Sequence, residues 1–239
     1  MAEIKPCDIF LIDGFSLLYR AYYGYPPNLT TPDKIPINAV YGFITMMLNA
    51  IVQFKPKYLG ICLDRKEPTY RNEIFPDYKA NRSAPDEEFL VQLPEFRKLI
   101  EPFNIPLIEA PGYESDDLLG ALSKQFSDQG FVTYIMSGDL DLLQLVNDYT
   151  VIVNNKKGVS NYILYNEEQV YDRYSLKPNQ IIDFKALKGD ASDNIPGVKG
   201  IGEKTAVSLL SEFTTLDNIY QNLDGIKSKS VVTKLTDNQ

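Results

Sequence analysis

The amino-acid sequence predicts an α/β protein with a mostly parallel central sheet, helices on both faces of that sheet, and a C-terminal helical subdomain. Apolar runs of strand length alternate with segments of helical periodicity, which is typical of a parallel sheet covered on both sides. From about residue 178 the strand-like runs cease, and a helix, a Gly-rich turn and a second helix follow. We therefore expect an α/β domain over residues 1–175 and a helical subdomain over residues 176–239.

The individual elements follow from local pattern and from the residues that interrupt it. Runs rich in Val, Ile, Leu and Tyr predict buried strands, and longer stretches with apolar residues three or four apart predict helices. Gly130 is expected to end one helix, and Pro94 to begin or kink another. In chain order we predict a strand at 8–13, a helix at 38–54, a strand at 57–64, a helix at 89–103, a strand at 105–110, a helix at 116–130, a strand at 131–139, a short helix at 141–146, and helices at 179–189 and 203–213.

The composition excludes several classes of chemistry. The chain has no His, which excludes Ser–His–Asp and Cys–His catalysis and the usual zinc ligands. Cys7 and Cys62 lie beside or inside strand-like runs, which predicts buried thiols in a reduced, cytoplasmic protein. No apolar run approaches the length of a membrane span and the first residues do not resemble a signal peptide, so no membrane partner is expected.

Acidic residues follow the predicted strands one after another. In a parallel sheet the carboxyl ends of the strands lie at one edge, which is where ligands bind. A single Asp at a strand end is commonly a turn or N-cap residue, but here every predicted strand of the α/β domain runs into acidic residues. The acidic residues expected at this edge are Asp13, Asp64, Glu114, Asp116, Asp117, Asp139 and Asp141.

The densest acidic segment, GYESDDLLGALSK, has a second interpretation. It begins a predicted helix, with Ser115 as a candidate N-cap, and acidic side chains in a first turn suit the positive end of the helix dipole. This interpretation explains the local pattern and leaves the acidic residues after the other strands unexplained. The two interpretations are compatible, because a helix start can present its carboxylates to the same edge of the sheet.

So many carboxylates at one edge predict a site for divalent cations. Bare carboxylates within about 4–6 Å of each other would repel and raise one another's pKa values. Ligation by oxygen alone favours Mg²⁺ or Mn²⁺, and two such ions about 3.5–4 Å apart hydrolyse phosphodiesters. Asp190 and Asp193 in the Gly-rich turn add to the set, so the net charge of −8 is largely the charge of this site.

Basic and aromatic residues near these strands are candidates for binding nucleic acid. Lys79 and Arg82 are spaced so that they would share a helix face, and Arg71 precedes them; they are expected to hold a phosphate or to form an ordinary solvated surface. Tyr19 and Arg20 follow Asp13 by about two helical turns. Tyr19 is expected either to stack on a terminal base or to pack in the core.

The segment PGVKGIGEKTA resembles a phosphate-binding Walker A loop, but Glu203 replaces the Lys and no strand precedes it. A helix–hairpin–helix is the better interpretation, and a simple interhelical turn is the alternative. Gly200 and Gly202 would let the backbone approach DNA, and amides at the next helix start would face phosphates. Lys199 and Lys204 would add positive charge.

Taken together, these motifs resemble the 5′-nuclease domain of bacterial DNA polymerase I, in the flap endonuclease superfamily. The matching blocks are LIDGFSLLYRAYYGYPP, FPDYKANR, YESDDLLG, SGDLDLLQLV and IIDFKALKGDASDNIPGVKGIGEKTA, in the family's order and at similar spacing over nearly the whole chain. The resemblance implies a PIN-like, flap-endonuclease-like fold and a 5′→3′ exonuclease and flap endonuclease that uses two or three Mg²⁺ ions. The implied substrate is branched, nicked or flapped duplex DNA in replication and repair.

The resemblance also assigns roles to residues. The implied metal ligands are Asp13, Asp64, Glu114, Asp116, Asp117, Asp139, Asp141, Asp190 and Asp193. The implied basic and stacking residues of the active site are Arg71, Lys79, Arg82, Tyr19 and Arg20. The implied DNA-binding residues of the hairpin, which often holds a potassium ion in this family, are Lys199, Gly200, Gly202, Lys204 and Thr205. Residues 70–106 are expected to form a helical clamp over the single strand.

One departure from the family's pattern and two alternative functions accompany this hypothesis. The family's domain runs several dozen residues further, so the helical subdomain is expected to be truncated, and a polymerase module is an expected partner in cis or in trans of an otherwise monomeric chain. The alternative functions are a related single-strand ribonuclease and a remnant that binds branched DNA without cleaving it. The intact set of acidic residues argues against the remnant, because a binding module gains nothing by repelling phosphate.

Overall fold

The computed structural model describes residues 5–155 and 161–238. These residues form two compact units. The first, here called the sheet unit, comprises the described residues of Met1–Tyr70 and Ala84–Asn166. The second, here called the helical unit, comprises those of Arg71–Ser83 and Glu167–Gln239. The boundary at residues 175 and 176 and the clamp over residues 70–106 stay predictions.

A six-stranded sheet forms the centre of the sheet unit, in the order β3-β2-β1-β4-β5-β6. Neighbouring strands are parallel except for β5 and β6, which are antiparallel. The strands are β1 (Ile9–Asp13), β2 (Tyr58–Cys62), β3 (Leu107–Ile108), β4 (Thr133–Met136), β5 (Thr150–Asn155) and β6 (Tyr162–Tyr165). The mostly parallel sheet predicted from the sequence is therefore confirmed.

Helices cover both faces of this sheet. Phe10 and Ile12 of β1 pack into one apolar cluster with Phe43 and Met47, while Leu11, which alternates to the opposite face, is also buried. The helices of the sheet unit are α1 (Gly14–Gly24), α2 (Asn38–Phe54), α4 (Glu87–Leu90), α5 (Gln92–Ile100) and α6 (Ser115–Asp128), with 3-10 turns at Glu101–Phe103 and Asp141–Leu145. Between α2 and α4 the chain forms α3 (Tyr70–Ile74), which belongs to the helical unit except for its first residue. None of the helices in the described ranges is both long and apolar enough to cross a membrane.

The helical unit contains the predicted helix, turn and helix. Phe184, Leu187, Leu210 and Leu235 are buried together in its core. Over residues 167–238 the helices are α7 (Glu167–Tyr174), α8 (Ile181–Lys188), α9 (Glu203–Phe213), α10 (Leu216–Gln221) and α11 (Lys229–Asp237), with 3-10 turns at Pro178–Gln180 and Leu223–Gly225. The Gly-rich turn between α8 and α9 lies where the sequence predicted it, and the helical character of this region is confirmed.

Several elements differ from the sequence-based predictions. The predicted helix over 89–103 is divided between α4, α5 and a 3-10 turn. Pro94 is the third residue of α5, and its lack of an N–H costs no hydrogen bond there, because the first N–H groups of a helix have no intrahelical acceptor. The short helix predicted at 141–146 is a 3-10 turn. Ser115 was predicted as the N-cap of α6, and this was wrong: Glu114 is the N-cap, in a reciprocal capping box with Asp117.

Candidate metal centre

The sheet topology brings the ends of β1, β2 and β4 next to one another. Asp13 is the last residue of β1 and pairs with Cys62, the last residue of β2, while β4 lies on the other side of β1. Asp64 follows β2, and Asp139 follows β4. Three acidic residues that are far apart in sequence therefore lie along one edge of the sheet, as the strand-end pattern predicted.

Asp13 is the most buried of these acidic residues, with 4% of its surface exposed. Its Oδ2 accepts a hydrogen bond from Ser137 Oγ at 2.7 Å, and its Oδ1 accepts one from the Ser16 N–H at 3.3 Å. Burial raises the pKa of the Asp13 carboxyl to about 6, although the hydrogen bonds from Ser137 and Ser16 oppose the change. The negative charges of Asp64 and Asp139 raise this pKa further.

Ser115, in the first turn of α6, contacts the ends of two strands. Its N–H donates to Asp64 Oδ1 at 2.7 Å, and its hydroxyl donates to Asp13 Oδ1 at 3.4 Å. The backbone group that a helix start leaves without an intrahelical acceptor thus holds the Asp64 carboxylate. The start of α6 therefore connects the carboxylate of Asp13, which ends β1, to that of Asp64, which follows β2.

The other acidic residues of this segment lie at the same helix start. Asp117 Oδ2 accepts from the Glu114 N–H at 3.0 Å, and Tyr70 Oη donates to Asp117 Oδ1 at 3.5 Å. Burial raises the pKa of the Cys62 thiol to about 12, and the charges of Asp13, Asp116 and Asp64 raise it too. Asp116 directly follows Ser115 at this helix start, and Ser115 contacts both Asp13 and Asp64.

The loop after β4 carries the last two acidic residues of the sheet unit. The Asp139 N–H donates to Ser137 Oγ at 2.9 Å, and the Asp141 N–H donates to Asp139 Oδ1 at 2.8 Å. This chain of hydrogen bonds connects Asp13 through Ser137 to the loop that holds Asp139 and Asp141. All seven acidic residues predicted at the sheet edge belong to the sheet unit.

The chemistry of this edge fits a hard divalent cation. Within the described residues no three acidic, Cys or His side chains converge in an arrangement that could already hold a metal ion. The carboxylates described above instead accept hydrogen bonds from neighbouring serines and backbone amides. The donor set is nevertheless one of oxygens only, and the buried carboxyl of Asp13 lies beside the negative charges of Asp64 and Asp139, which raise its pKa. A divalent cation would offset that repulsion.

Asp190 and Asp193 lie in the helical unit, where each is paired with a cation. Lys185 Nζ lies 2.7 Å from Asp190 Oδ2 and an Arg82 guanidinium nitrogen lies 2.5 Å from Asp193 Oδ1. Burial opposes ionisation of Asp190, but hydrogen bonds from Lys185 and Ser192 together hold its pKa well below its usual range. Their assignment as metal ligands stays a prediction.

The ring of Tyr78 contacts two of the basic residues of the helical unit. Arg71 and Lys79 lie over the ring of Tyr78, at 6.0 and 4.9 Å from its centroid. The expectation that Lys79 and Arg82 share a helix face was wrong: α3 ends at Ile74, two residues before Pro76, and Lys79 has a φ of 56° in a turn. The backbone N–H of Lys79 donates to the Asp193 carbonyl at 3.0 Å.

Tyr19 and Arg20 lie on α1 and have different environments. The Tyr19 ring is stacked on Phe89 at a centroid distance of 4.2 Å, so Tyr19 packs against the core. Tyr23, one helical turn further along, is stacked with Tyr19 at 6.5 Å and is 75% exposed. An Arg20 guanidinium nitrogen donates to the Asn155 carbonyl at 2.5 Å, and burial lowers the pKa of Arg20.

The hairpin between α8 and α9 depends on close backbone contacts. Gly197 has a φ of 61°, and a Cβ at this position would lie 2.2 Å from Gly189 N. Gly200 has a φ of 84°, and its carbonyl accepts a hydrogen bond from Lys234 Nζ at 2.9 Å. Gly202 instead has a φ of −100° and open space around it, at the N-cap of α9. Lys199 and Lys204 are exposed, and Thr205 is half-buried in the first turn of α9.

Comparison with known proteins assigns the chain to a family. A sequence profile of the N-terminal resolvase-like domain of 5′-3′ exonucleases matches residues 8–175, and the profile of their C-terminal SAM fold matches residues 176–239. The chain belongs to the 5′-3′ exonuclease family. It is 40% identical over 218 residues to the 5′-3′ exonuclease of Bacillus subtilis, a match that covers 90% of this chain and 73% of that protein.

The same family includes domains of larger proteins. The chain is 46% identical over 222 residues to DNA polymerase I of Caldicellulosiruptor bescii, a match that covers 92% of this chain and 26% of that protein. The chain thus spans about a quarter of the length of the polymerase relatives. Among solved structures, the flap endonuclease of bacteriophage T5 in complex with DNA and metal ions has the same fold, with a TM-score of 0.78 at 21% identity, covering 95% of this chain and 83% of that one. The resemblance stated from the sequence is confirmed.

The contacts of the serines in this centre were not predicted from the sequence. Ser16, Ser115 and Ser137 contact Asp13, and Ser115 also contacts Asp64. Serine is common in turns and at helix starts, so its presence there gave no reason to expect a role. The available signal was position, because Ser137 immediately follows β4 and Ser115 lies between acidic residues.

Proposed function

We propose that this chain is a metal-dependent, structure-specific 5′ nuclease that hydrolyses phosphodiester bonds in DNA, as a 5′→3′ exonuclease and a 5′-flap endonuclease. The observation that carries the proposal is the edge of the sheet unit, where the buried Asp13 carboxyl lies beside Asp64 and Asp139. The name of the Bacillus subtilis relative as a 5′-3′ exonuclease and the DNA and metal ions bound to the bacteriophage T5 flap endonuclease support it.

Mg²⁺ is the proposed cofactor, with Mn²⁺ as a substitute and two or three ions per chain. Asp13, Asp64 and Asp116, with Glu114 close by, would hold one ion, and Asp117, Asp139 and Asp141 are the proposed ligands of another. When bound, such ions lower the pKa of an attacking water and stabilise negative charge on the phosphate and the leaving oxygen. The role of the protein is to fix these carboxylates in place, through the hydrogen bonds from serines and backbone amides described above.

The basic residues of the helical unit are proposed to bind DNA phosphates. Lys79, Arg82 and Arg71 would hold the scissile phosphate, and Arg82 would then exchange or share its contact with Asp193. Exposed Lys199 and Lys204, with the backbone near Gly200, Gly202 and Thr205, would contact the duplex, and a potassium ion at the hairpin belongs to the same proposal. Tyr19 and Arg20 would lie along the path of the single strand.

The proposed setting is DNA replication and repair in the cytoplasm. The partners are branched, nicked or flapped DNA and a DNA polymerase module, either in cis or in trans. The relatives of similar sequence include DNA polymerase I from several bacteria, which supports the polymerase as partner. A monomeric chain suffices for this proposal, because all the acidic and basic residues that it uses belong to one chain.

Cleavage of a labelled 5′-flap DNA in Mg²⁺ tests the proposal. Asp116→Asn is expected to slow cleavage at least about 100-fold, because losing a ligand removes several kcal/mol of charge stabilisation. Asp128→Asn is the matched control: Asp128 ends the same helix, pairs with Lys124 and lies away from the strand ends, so this variant should cleave like wild type. Equal rates for Asp116→Asn and wild type would exclude the proposed site. Faster cleavage of single-stranded RNA than of the flap would favour the ribonuclease alternative.

A further inference from the structure

Ser137 is the residue that immediately follows β4, and it is fully buried. Its hydroxyl donates to Asp13 Oδ2 at 2.7 Å, which is the shortest hydrogen bond that the structure gives to this carboxylate. The same oxygen accepts from the Asp139 N–H at 2.9 Å and lies 3.3 Å from Ser16 Oγ. One hydroxyl therefore connects the end of β1 to the loop after β4.

The two oxygens of Asp13 are held differently. Oδ2 accepts the short hydrogen bond from Ser137, whereas the contacts to Oδ1 from Ser16 N and Ser115 Oγ are long, at 3.3 and 3.4 Å. A carboxylate oxygen has two acceptor sites, and long hydrogen bonds are weak ones. Oδ1 is thus the oxygen of Asp13 that a cation can take with the smaller loss of existing hydrogen bonds.

Ser16 supports this arrangement from α1. Its hydroxyl accepts from the Gly138 N–H at 2.8 Å, and a Cβ at Gly138 would lie 3.1 Å from the same oxygen. Gly138 therefore allows the backbone after β4 to approach α1 closely. The loop that carries Asp139 is fixed against the start of α1 by contacts on either side of Ser137.

We infer that Ser137 is a positioning residue of the metal centre, which holds Asp13 through Oδ2 so that Oδ1 is presented to a divalent cation. Ser137 acts through Asp13 and through the backbone of Asp139, and it does not itself bind the ion. The inference rests on the proposed function, because it concerns the residues proposed there as metal ligands. Loss of such a supporting contact typically lowers metal affinity 10–100-fold.

A purely structural role for Ser137 would give a different result. Removing the hydroxyl leaves the Asp139 N–H and one side of Asp13 Oδ2 without their partner, which lowers stability whether or not a metal binds. Metal affinity distinguishes the two roles. Ser123 is the matched control, because it is also buried and its hydroxyl donates to the Gly120 carbonyl within α6.

The experiment is a calorimetric titration of the full chain with Mn²⁺ alone, after melting curves have shown that each variant is folded. Ser137→Ala is expected to raise the Kd for Mn²⁺ about 10–100-fold, and Ser123→Ala is expected to leave it unchanged. Ser137→Cys keeps a side chain of similar length with a much weaker donor and is expected to raise the Kd as well. It provides the same comparison if the Ala variant does not fold.

Two results would overturn the inference, and they are distinguishable. If both Ser137 variants bind Mn²⁺ with the wild-type Kd while wild type cleaves flap DNA, Ser137 has only a structural role and the proposed function stands. If wild type binds no Mn²⁺ and cleaves no DNA, the inference and the proposed function are both wrong. The inference is supported if Kd rises for the Ser137 variants alone and excess Mg²⁺ restores part of the lost cleavage.

Discussion

Asp13 has three structural roles. It ends β1, its side chain caps α1 by accepting from the Ser16 N–H, and it is buried at the candidate metal centre. A residue selected only for stability would not need a charge here, because Asn also caps helices well and is neutral. The burial of an ionisable group at this position therefore supports the proposed role of Asp13 as a metal ligand.

The raised pKa of Asp13 predicts how the metal-free protein depends on pH. The unfolded chain has an ordinary Asp pKa near 3.9, and the folded protein has about 6, so the folded state binds the proton more tightly. This contribution to stability is complete below about pH 4 and is lost as the pH rises through 6. Urea unfolding in EDTA should show wild type losing about 1 kcal/mol relative to Asp13→Asn between pH 5 and pH 7. An unchanged difference between the two proteins would contradict the raised pKa.

The two thiols give a second prediction at this scale. Cys7 and Cys62 are buried, and burial raises the pKa of each to about 12. Only the thiolate reacts with disulfide reagents, so both cysteines should be unreactive in the native protein at pH 8 and should react once it is unfolded. A colorimetric thiol assay with and without denaturant measures this. Rapid labelling of the native protein would show that one of the thiols is accessible.

At the scale of elements, the hairpin between α8 and α9 contains two kinds of glycine. Gly197 has a positive φ and lies against the backbone of Gly189, whereas Gly202 has a negative φ and open space. Gly197→Ala should therefore lower the free energy of unfolding by more than about 1 kcal/mol, since strain and a backbone clash add. Gly202→Ala, at the N-cap of α9, should cost less, about 0.5–1 kcal/mol, because Ala caps a helix less well than Gly but meets neither strain nor a clash here. Thermal melting of both variants tests this, and equal melting temperatures would contradict it.

The elements that the sequence predicted well are those with strong periodic signals. The helix predicted over residues 38–54 has the same bounds as α2, and the helix predicted over 203–213 has the same bounds as α9. β5 and β6 were not predicted, because their antiparallel pairing is a contact between segments that periodicity does not reveal. Of the strand predicted over 105–110, Leu107 and Ile108 pair with β2 at one edge of the sheet.

The candidate site was predictable only in part, for a related reason. Alternating strands and helices imply one sheet edge, so acidic residues at strand ends could be grouped without knowing any contact. Hydrogen bonds such as Ser137 to Asp13 and Arg82 to Asp193 join residues more than 100 positions apart. They depend on side-chain geometry at that edge and in the Gly-rich turn, which leaves no pattern in a single sequence.

At the scale of the whole molecule, the charge distribution agrees with the proposed chemistry. The net charge is −8, and the acidic residues at the sheet edge account for much of it. A ligand that binds only the folded state stabilises it, and a free concentration 100 times the Kd contributes about 2.7 kcal/mol. Mg²⁺ should thus raise the melting temperature of wild type, and raise that of Asp13→Asn less. Differential scanning calorimetry in Mg²⁺ and in EDTA measures both values, and equal increases would argue against Asp13 as a ligand.

We propose that the acidic edge of the sheet unit binds divalent cations that this chain needs to cleave 5′-flap DNA. Cleavage of a 5′-labelled flap by EDTA-treated protein, to which Mg²⁺ is added stepwise, tests this proposal. We expect no cleavage before Mg²⁺ is added and release of short 5′ products as its concentration increases. Cleavage that persists in EDTA, or a flap that is bound in Ca²⁺ but never cleaved in Mg²⁺, would contradict it.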